Sequence, residues 1–276
     1  MTQRGILTEG ERRLASAGVP EAKLNAWYLF AHCFFITKSQ FFLRADEEAQ
    51  ESDCGHYREL LEKRSQRIPL EHLTGETEFM GLPFFVNENV LIPRQDTECL
   101  VEEVLKFCDG ADVLDLCTGS GCIGISLAKL AHCKSVMLSD ISAEALKMAK
   151  KNAENNDVKV QIVESDLFQS IQGRFDLVVS NPPYIRSGEI PKLMPEVCEH
   201  EPLRALDGSG DGLLFYRSII REIGAFLKND ATVFFEIGAD QGEAVSQLMH
   251  EAGFRNVEVK QDLAGLDRIV CGQYSK

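Results

Sequence analysis

The run Asn181-Pro182-Pro183-Tyr184 contains the residue types in this chain that most directly suggest chemistry. Proline at position 182 keeps Asn181 out of the helical region, and two successive prolines hold the backbone extended without offering N–H donors. The side-chain oxygen of Asn181 and a nearby backbone carbonyl can then accept both hydrogens of one planar NH2 group, against which Tyr184 can pack. The run therefore predicts a site that holds an amide or an aromatic amine.

Holding such a group in place would serve a transfer reaction. The nitrogen of an amide or aromatic amine is a poor nucleophile because its lone pair is delocalised. Fixing both N–H bonds helps to present that lone pair in line to an electrophilic methyl group, and no general base is required before the attack. The alternative is a strand that ends in a proline turn, with Tyr184 serving only packing.

A glycine-rich loop lies upstream of this run, between a predicted strand and a predicted helix. Its sequence from residue 115 to residue 124 is Asp-Leu-Cys-Thr-Gly-Ser-Gly-Cys-Ile-Gly. Glycines let the backbone turn tightly and approach a ligand closely, and the start of a helix adds unpaired N–H donors. This pattern favours a nucleotide-cofactor loop over a turn whose glycines serve packing alone. The candidate cofactor-binding residues here are Asp115, Cys117, Thr118, Gly119, Ser120 and Gly121.

Three acids accompany the carboxyl ends of successive predicted strands: Asp115, Asp140 and Asp166. Open parallel sheets bind ligands beyond these strand ends, so the three acids predict one ligand crevice. Asp140 also follows a G-x-G-x-x-G pattern at the distance where NAD enzymes bind a ribose, which leaves an NAD-dependent oxidoreductase open. Taken singly, each acid could instead cap a helix.

The elements that must position these residues alternate between strand and helix. Apolar runs at residues 112–116, 135–139, 158–163, 175–180 and 232–237 predict strands, and helical patterns fit between them. Ser142 is the expected N-cap of the clearest helix. This alternation predicts an α/β fold with a doubly wound, mostly parallel sheet. Residues 256–260 and 267–273 have no helix-length segment between them, so they are expected to pair antiparallel at the sheet edge.

The first quarter of the chain has a different pattern. Residues 7–17 are amphipathic, and helices are predicted to continue through Gln66. Between Pro69 and Pro93, short apolar pieces alternate with turn residues, which predicts a hairpin or an extended linker. The predicted division is therefore an N-terminal helical domain at 1–68, a connecting hairpin or linker at 69–93, and a catalytic domain at 94–276.

Composition narrows the classes of partner. The chain has 276 residues, of which 44% are hydrophobic and 26% charged, as in globular proteins. Its net charge is -14, and neither the part before residue 85 nor the part after it is basic. Proteins that bind duplex nucleic acid usually present a basic face, so no nucleic-acid partner is expected.

Apolar stretches, cysteines and histidines bear on the cellular location and on metal binding. Residues 24–37 form the longest uncharged apolar stretch, which is shorter than a membrane span, and the N-terminus has no signal-peptide pattern. A cytoplasmic location without membrane association is expected. The nine cysteines form no C-x-x-C pair, and the histidines share no ligand spacing with cysteines or acids, so neither disulfides nor a metal is predicted.

With the loop, the acids and the Asn-Pro-Pro-Tyr run in this order, the sequence resembles the PrmC/HemK family, the release factor glutamine methyltransferases. Residues 67–75, 91–98 and 201–213 are similar to further segments of that family. The resemblance runs nearly from end to end, although the helices up to Arg64 match in type more than in residues.

The resemblance implies a class I, Rossmann-like methyltransferase fold that depends on S-adenosylmethionine. It implies a seven-stranded sheet with an antiparallel last strand, preceded by a small helical domain and a connecting β-hairpin. The implied reaction is N-methylation of the glutamine in the Gly-Gly-Gln loop of class 1 peptide chain release factors, with S-adenosylhomocysteine as product. The N-terminal domain is expected to help hold that partner.

The resemblance also assigns roles to residues. It places the acids Asp115, Asp140 and Asp166 around the methionine ammonium, the ribose and the adenine. One departure is visible: Cys117 stands where the family usually has glycine, and a requirement for positive φ there would weaken binding. The implied cofactor site comprises Asp115, Cys117, Thr118, Gly119, Ser120, Gly121, Asp140, Asp166, Leu167 and Asn181, with Asn181, Pro182 and Tyr184 catalytic and Asn181, Pro182, Pro183 and Tyr184 binding substrate.

Other interpretations remain open at this point. An adenine-directed DNA methyltransferase needs the same acceptor pair, although the acidic composition disfavours it. An NAD-dependent oxidoreductase and a non-enzymatic cofactor-binding partner protein are the other rivals, and the intact Asn-Pro-Pro-Tyr run argues against the latter. Arg94, Asp96 and Glu98 could line the site or be solvated charges on the connector. The protein is expected to be a monomer.

Overall fold

The structure, a computed structural model, describes residues 1–274 and divides them between two compact units. The helical unit comprises Met1–Gly75 and Met194–His200, and the sheet unit comprises Glu76–Leu193 and Glu201–Lys276. The helices are α1 Gln3–Ser16, α2 Ala22–Phe34, α3 Lys38–Arg44, α4 Glu51–Ser65, α5 Leu70–Thr74, α6 Gln95–Leu105, α7 Cys122–Leu130, α8 Ala143–Asn155, α9 Pro195–Cys198, α10 Leu203–Leu206, α11 Leu214–Ile223 and α12 Gly242–Glu251. The strands are β1 Glu76–Phe79, β2 Leu82–Phe85, β3 Asp112–Leu116, β4 Ser135–Asp140, β5 Gln161–Glu164, β6 Phe175–Ser180, β7 Leu227–Glu236, β8 Phe254–Gln261 and β9 Asp267–Tyr274.

Local signals explain where the helices of the helical unit begin. The Thr2 side chain accepts a hydrogen bond from the Gly5 N–H at the start of α1, and Thr37 forms a capping box with Gln40 at the start of α3. The core of the unit is aromatic: Phe30 packs edge-on against the buried ring of Tyr57, whose hydroxyl donates to a backbone carbonyl of α2. The unit therefore has its own apolar core.

The sheet unit contains a seven-stranded sheet with the order β5-β4-β3-β6-β7-β9-β8. The pairs from β5 through β7 are parallel, whereas β9 runs antiparallel to both β7 and β8. This is the expected doubly wound sheet with an antiparallel last strand, and the fold prediction is confirmed. Ser142 caps α8 as expected, its side chain accepting from the Ala145 N–H.

Alternation along the strands builds a core on each face of the sheet. Val113 of β3 points into a cluster with α6, α7 and α8, whereas the next residue, Leu114, points into a cluster with α11 and α12. Successive strand residues face opposite sides, so strands covered on both faces are apolar throughout. Because β3, β4 and β6 are parallel neighbours, their carboxyl ends lie together at one edge of the sheet.

One expected helix is not formed. Between β5 and β6 the chain passes through turns, not through the helix that the alternating pattern predicted. Only ten residues, 165–174, are available there, and Gly173 has a φ of +96° that no helix adopts. The side chains of Phe168 and Ile171 are buried in the core and cover the part of the sheet face that a helix would have covered.

An ion-pair cluster holds α9 against the rest of the helical unit. Glu196 receives hydrogen bonds from Arg64 at 2.8 Å and from Arg67 at 2.7 and 2.6 Å. Burial alone would raise the pKa of Glu196, but the bonds from Arg67 and Arg64 outweigh it and lower this pKa to about 2. The side chain of Arg64 is itself only 6% exposed, so its charge depends on Glu196 for a counter-charge.

We expect the Glu196→Gln variant to be less stable than the wild type at pH 7, by up to about 3 kcal/mol, because a pKa lowered from 4.5 to about 2 corresponds to roughly that free energy. A depressed carboxyl pKa stabilises the fold above the unfolded-state value, and this contribution is lost as the pH falls from about 5 to 2. Thermal unfolding of the full chain across this range measures the effect. The exposed neighbour Glu199, changed to Gln, is the control; a deficit that persists unchanged at pH 2 would contradict the assignment.

Candidate active site

The glycine-rich loop joins β3 to α7 at the carboxyl edge of the sheet. Behind the loop, Asp115 is fully buried, and its Oδ2 accepts from the Thr118 hydroxyl at 2.5 Å and from the Gly124 N–H at 2.9 Å. Burial raises the pKa of Asp115 to about 7, and these two bonds offset part of that effect. Asp115 therefore braces the loop from within and is not among the residues that line the adjoining cavity.

The loop is held in the left-handed conformation at three positions. Cys117, Gly119 and Gly121 have φ values of +62°, +55° and +84°. At Gly121 an added Cβ would lie 2.7 Å from the Ile125 side chain and 3.2 Å from the Cβ of Ala149, so α7 and α8 approach closely there. Cys117 thus occupies a backbone conformation that favours glycine, so the departure noted in the sequence falls at a position of positive φ.

Asp140, the last residue of β4, is fixed by backbone donors. Its Oδ2 accepts from the Gly119 N–H and its Oδ1 from the Ser142 N–H, both at 2.9 Å. Burial raises the pKa of Asp140, and the backbone bonds lower it. The carboxylate consequently stands between the glycine-rich loop and the start of α8, in contact with the cavity.

A cavity of about 730 Å³ lies over the carboxyl ends of β3, β4 and β6. It combines backbone N–H groups and carboxylates with apolar walls, a mixture suited to a nucleoside-type ligand. Of the predicted residues, it is lined by Cys117, Thr118, Gly119, Ser120, Asp140, Asp166, Leu167, Asn181 and Pro183. Asp115, Gly121, Pro182 and Tyr184 do not line it.

Several lining residues were not predicted. Ile141 is 57% exposed directly after Asp140 and forms part of the wall, as do Val90 and Leu91 of the connector and Leu203 of α10. A large apolar residue directly after a strand-end carboxylate is the signal in the sequence that could have indicated Ile141. Asn152 of α8 is a second omission: its side-chain NH2 donates to the Ser120 carbonyl at 2.9 Å and to the Phe85 carbonyl at 3.0 Å, which ties the loop to the hairpin.

The Asn-Pro-Pro-Tyr run follows β6 and enters the cavity from one side. The Asn181 side-chain NH2 donates to the Thr97 hydroxyl oxygen at 3.4 Å. The Tyr184 hydroxyl donates to Oε1 of Glu236 at 3.4 Å, and its backbone carbonyl accepts from the Gln241 side chain at 3.0 Å. Burial raises the pKa of the Tyr184 hydroxyl, which keeps it protonated and a donor. Asn181 and Pro183 face the cavity, whereas Tyr184 is braced behind them.

The three charged residues of the connector have separate roles. Arg94 lines the cavity and bonds both carboxylate oxygens of Glu201, at 2.7 and 2.6 Å. Asp96 pairs with Arg268 at 3.2 Å, and Glu98 accepts from the Met80 N–H at 2.6 Å. Of these three, Arg94 alone reaches the cavity wall.

Residues 1–274 contain neither a candidate metal centre nor a candidate membrane-spanning helix. No group of three or more His, Cys, Asp and Glu side chains within that range could hold a metal ion. None of the helices there is long and apolar enough to cross a membrane.

Comparisons with known proteins agree with this geometry. Residues 95–211 match the model of the methyltransferase small domain, and residues 5–75 match that of the PrmC N-terminal domain. The release factor glutamine methyltransferase of Clostridium acetobutylicum is 41% identical over 86% of this chain and 87% of its own length. That of Geobacter sulfurreducens is 38% identical over 99% of this chain and 96% of its own.

Solved structures share the fold. A methyltransferase from Pyrococcus furiosus superposes with a TM-score of 0.56 at 15% identity, covering 72% of this chain and 91% of that one. At this identity the likeness concerns the fold alone, and that fold is the class I methyltransferase fold.

Proposed function

This chain belongs to the release factor glutamine methyltransferase family, and we propose that it transfers a methyl group from S-adenosylmethionine to a glutamine side-chain amide of a class 1 peptide chain release factor. The target is the glutamine of the Gly-Gly-Gln loop. The observation that carries the proposal is the position of Asn181, on the cavity wall with its NH2 group turned to Thr97 and its side-chain oxygen left to accept from a substrate.

The residues of the cavity fit the proposed methyl donor. Gly119 approaches the cavity without a side chain, since an added Cβ there would meet nothing within 4 Å, so the loop leaves open space for a ligand. Asp140 provides a fixed acceptor for ribose hydroxyls, and Ile141 and Leu167 are apolar walls for a flat base. In this proposal the cofactor site comprises Asp115, Cys117, Thr118, Gly119, Ser120, Gly121, Asp140, Asp166, Leu167 and Asn181, with Asp115 acting through the loop.

The protein's own part in the reaction is positioning. When bound, S-adenosylmethionine supplies a methyl group on a sulfonium, and the products are methylglutamine and S-adenosylhomocysteine. Asn181 accepts one substrate N–H through its side-chain oxygen, and the Pro182 carbonyl, between the two cavity-lining residues Asn181 and Pro183, accepts the other. Pro183 limits the movement of the amide plane from the cavity wall, and Tyr184 supports the run from behind. Both acceptors orient the nitrogen lone pair toward the methyl group and take the place of water around the substrate N–H bonds. After the transfer, the proton lost from the nitrogen passes to solvent.

The division of labour along the chain is part of the proposal. Residues 1–68 would bind the release factor, residues 69–93 would connect, and residues 94–276 would hold the methyl donor and carry out the transfer. The helical unit exposes Phe35 at 91%, Phe42 at 74% and Leu43 at 85% of their surfaces, as a partner-binding unit would. A monomeric state, a cytoplasmic location and the lack of nucleic-acid and metal partners stay predictions from the sequence.

Mass spectrometry of a recombinant release factor tests the proposed function. After incubation with this protein and S-adenosylmethionine, we expect the Gly-Gly-Gln peptide to gain one methyl group on its glutamine. Unmodified release factor in the presence of bound S-adenosylmethionine would overturn the substrate assignment. A DNA substrate in a parallel reaction tests the adenine-directed alternative, which the curated relatives do not favour.

Substitution of Cys117 tests how the loop holds the methyl donor. Its φ of +62° suits glycine and strains β-branched residues by roughly 1–2 kcal/mol. We expect Cys117→Val to weaken S-adenosylmethionine binding by about 10-fold, because the loop relaxes out of its ligand-binding conformation. Cys117→Gly should bind within about twofold of the wild type. Titration calorimetry measures both affinities, and equal binding by the two variants would show that this conformation is not needed for the ligand.

A further inference from the structure

Glu236 is a buried carboxylate behind the Asn-Pro-Pro-Tyr run that the predicted site does not include. It ends β7, next to the end of β6, since Phe235 and Ser180 are paired across the two strands. Its side chain is buried, with the whole residue only 2% exposed. Oε1 accepts from the Tyr184 hydroxyl at 3.4 Å. Within residues 1–274, Oε2 has no hydrogen-bond partner, so it can accept one.

Thr97 connects this carboxylate to Asn181. The Thr97 hydroxyl is a neighbour of Glu236 that lowers the pKa of this carboxyl, and the same oxygen accepts from the Asn181 NH2 at 3.4 Å. Thr97 is only 2% exposed, although it lies at the cavity wall, so solvent has little access to its hydroxyl. The chain of contacts therefore runs from Asn181 through Thr97 to Glu236. Both 3.4 Å contacts are long, and contacts of this kind shorten when the reacting groups are bound.

The chemistry of the groups sets the direction of each bond. An ionised carboxylate only accepts hydrogen bonds, and a threonine hydroxyl has a single hydrogen to donate. When Thr97 donates that hydrogen to Glu236, only its lone pairs remain for Asn181, and only the NH2 end of the amide can use them. The oxygen of Asn181 is then the end that faces the cavity. If the Thr97 hydroxyl instead donated its hydrogen to Asn181, the amide would have to turn around, and its NH2 group would face the substrate.

We propose that Glu236 and Thr97 are positioning residues that fix the orientation of the Asn181 amide, so that its oxygen faces the substrate. This inference rests on the proposed function for its effect on methyl transfer, but the orientation itself is a property of this chain alone. Glu236 does not line the cavity, and Thr97 lies at its wall beside Asn181. Their effect reaches the reaction through Asn181 and, from the Glu236 side, through Tyr184.

The charges around Glu236 make this device sensitive to pH. Burial raises the pKa of Glu236 to about 7, while Thr97, Arg268 and Tyr184 lower it and Asp96 raises it. Two further titratable groups lie near: the Tyr216 hydroxyl donates to the Glu236 backbone carbonyl at 2.7 Å, and the Cys122 thiol is affected by its charge. A protonated Glu236 can donate to Thr97, so the fixed direction is lost as the pH falls through this pKa.

The first test observes Asn181 without any reaction. The side-chain NH2 signals of Asn181 are identified in 15N-labelled protein by their loss in Asn181→Asp and followed from pH 5.5 to pH 8.5. We expect them to shift with a midpoint near the pKa of Glu236, about 7, and this shift to vanish in Thr97→Val and in Glu236→Gln. Thr97→Ser retains the hydroxyl and should titrate like the wild type. Asn181 signals that titrate unchanged in Thr97→Val would overturn the proposal.

The second test follows methylation of the release factor. We expect Thr97→Val to lower kcat by about 10- to 100-fold, while the dissociation constant of S-adenosylmethionine changes less than about threefold, because misplacement of the amide affects the reacting geometry. Thr97→Ser should retain most of the wild-type kcat. In the wild type we expect kcat to fall below pH 7 as Glu236 is protonated, and in Glu236→Gln this pH dependence should be absent. Equal kcat in Thr97→Val and wild type would overturn the proposal. A wild-type protein that methylates no release factor would instead refute the proposed function, and the Asn181 signals would still decide the orientation.

Discussion

We expect the Asn181→Ala variant to methylate a release factor about 100- to 1,000-fold more slowly than the wild type, the range seen when one preorganised polar group at a reacting centre is removed. Alanine deletes the side-chain acceptor for the substrate N–H and leaves only the backbone carbonyl of Pro182 to orient the amide. It also leaves the Thr97 hydroxyl without its partner from Asn181. Initial rates of glutamine methylation at saturating S-adenosylmethionine measure the loss.

The loss should appear in kcat more than in the affinity for S-adenosylmethionine, because in the proposed site the glycine-rich loop and Asp140 also hold the donor. Asn229, which is exposed on β7, provides the matched control when it is changed to alanine. This control should keep wild-type rates. Near-wild-type turnover by Asn181→Ala, with unchanged affinity for the methyl donor, would remove Asn181 from the reaction.

The Gly208→Ala variant is expected to lose activity by at least about 100-fold through displacement of Tyr184. An added Cβ at Gly208 would lie 2.7 Å from the Cα and 2.8 Å from the carbonyl carbon of Tyr184, and 2.9 Å from the Cα of Gly212. All three are backbone atoms, which cannot rotate away as a side chain can. The overpacking should also destabilise the sheet unit by about 1–3 kcal/mol.

Gly210 offers the matched control, because an added Cβ there meets nothing within 4 Å. Gly210→Ala should therefore keep both activity and melting temperature. Calorimetry should place the melting temperature of Gly208→Ala several degrees below that of the control, at roughly 2–4 °C per kcal/mol in a domain of this size. If Gly208→Ala and Gly210→Ala show the same kcat, close backbone packing against Tyr184 has no part in the reaction.

The parts of the fold and site that could be predicted are those with local signals. Short apolar runs alternating with helical patterns indicated the parallel sheet, and the glycines after β3 marked a cofactor loop because their φ values are a local requirement. The backbone geometry of the run from Asn181 to Tyr184 could be predicted because its two prolines restrict the backbone locally. Family resemblance added the substrate and the roles of single residues.

The parts that could not be predicted depend on contacts between distant segments. Thr97 and Glu236 are ordinary helix and strand residues in the sequence, and only the register of β6 with β7 brings Glu236 beside Asn181. Asp115 was expected around the ligand, and what its position in the sequence did not indicate is that its Oδ2 holds the loop through Thr118 and Gly124. The absence of a helix after β5 also depends on distant contacts, because Phe168 and Ile171 are buried against core residues from other strands and helices.

The insertion of β9 between β7 and β8 has a consequence for a chain still emerging from the ribosome. Strand β7 can pair with β6 as soon as it is made, but its other edge and the facing edge of β8 stay open until residues 267–274 follow. Unpaired strand edges are templates for association with other chains. Arg268, which braces the Ile237 carbonyl beside Glu236, arrives with the same strand. A nascent chain that stops before Asp267 would therefore lack part of the support of the candidate active site and would also expose two unpaired strand edges.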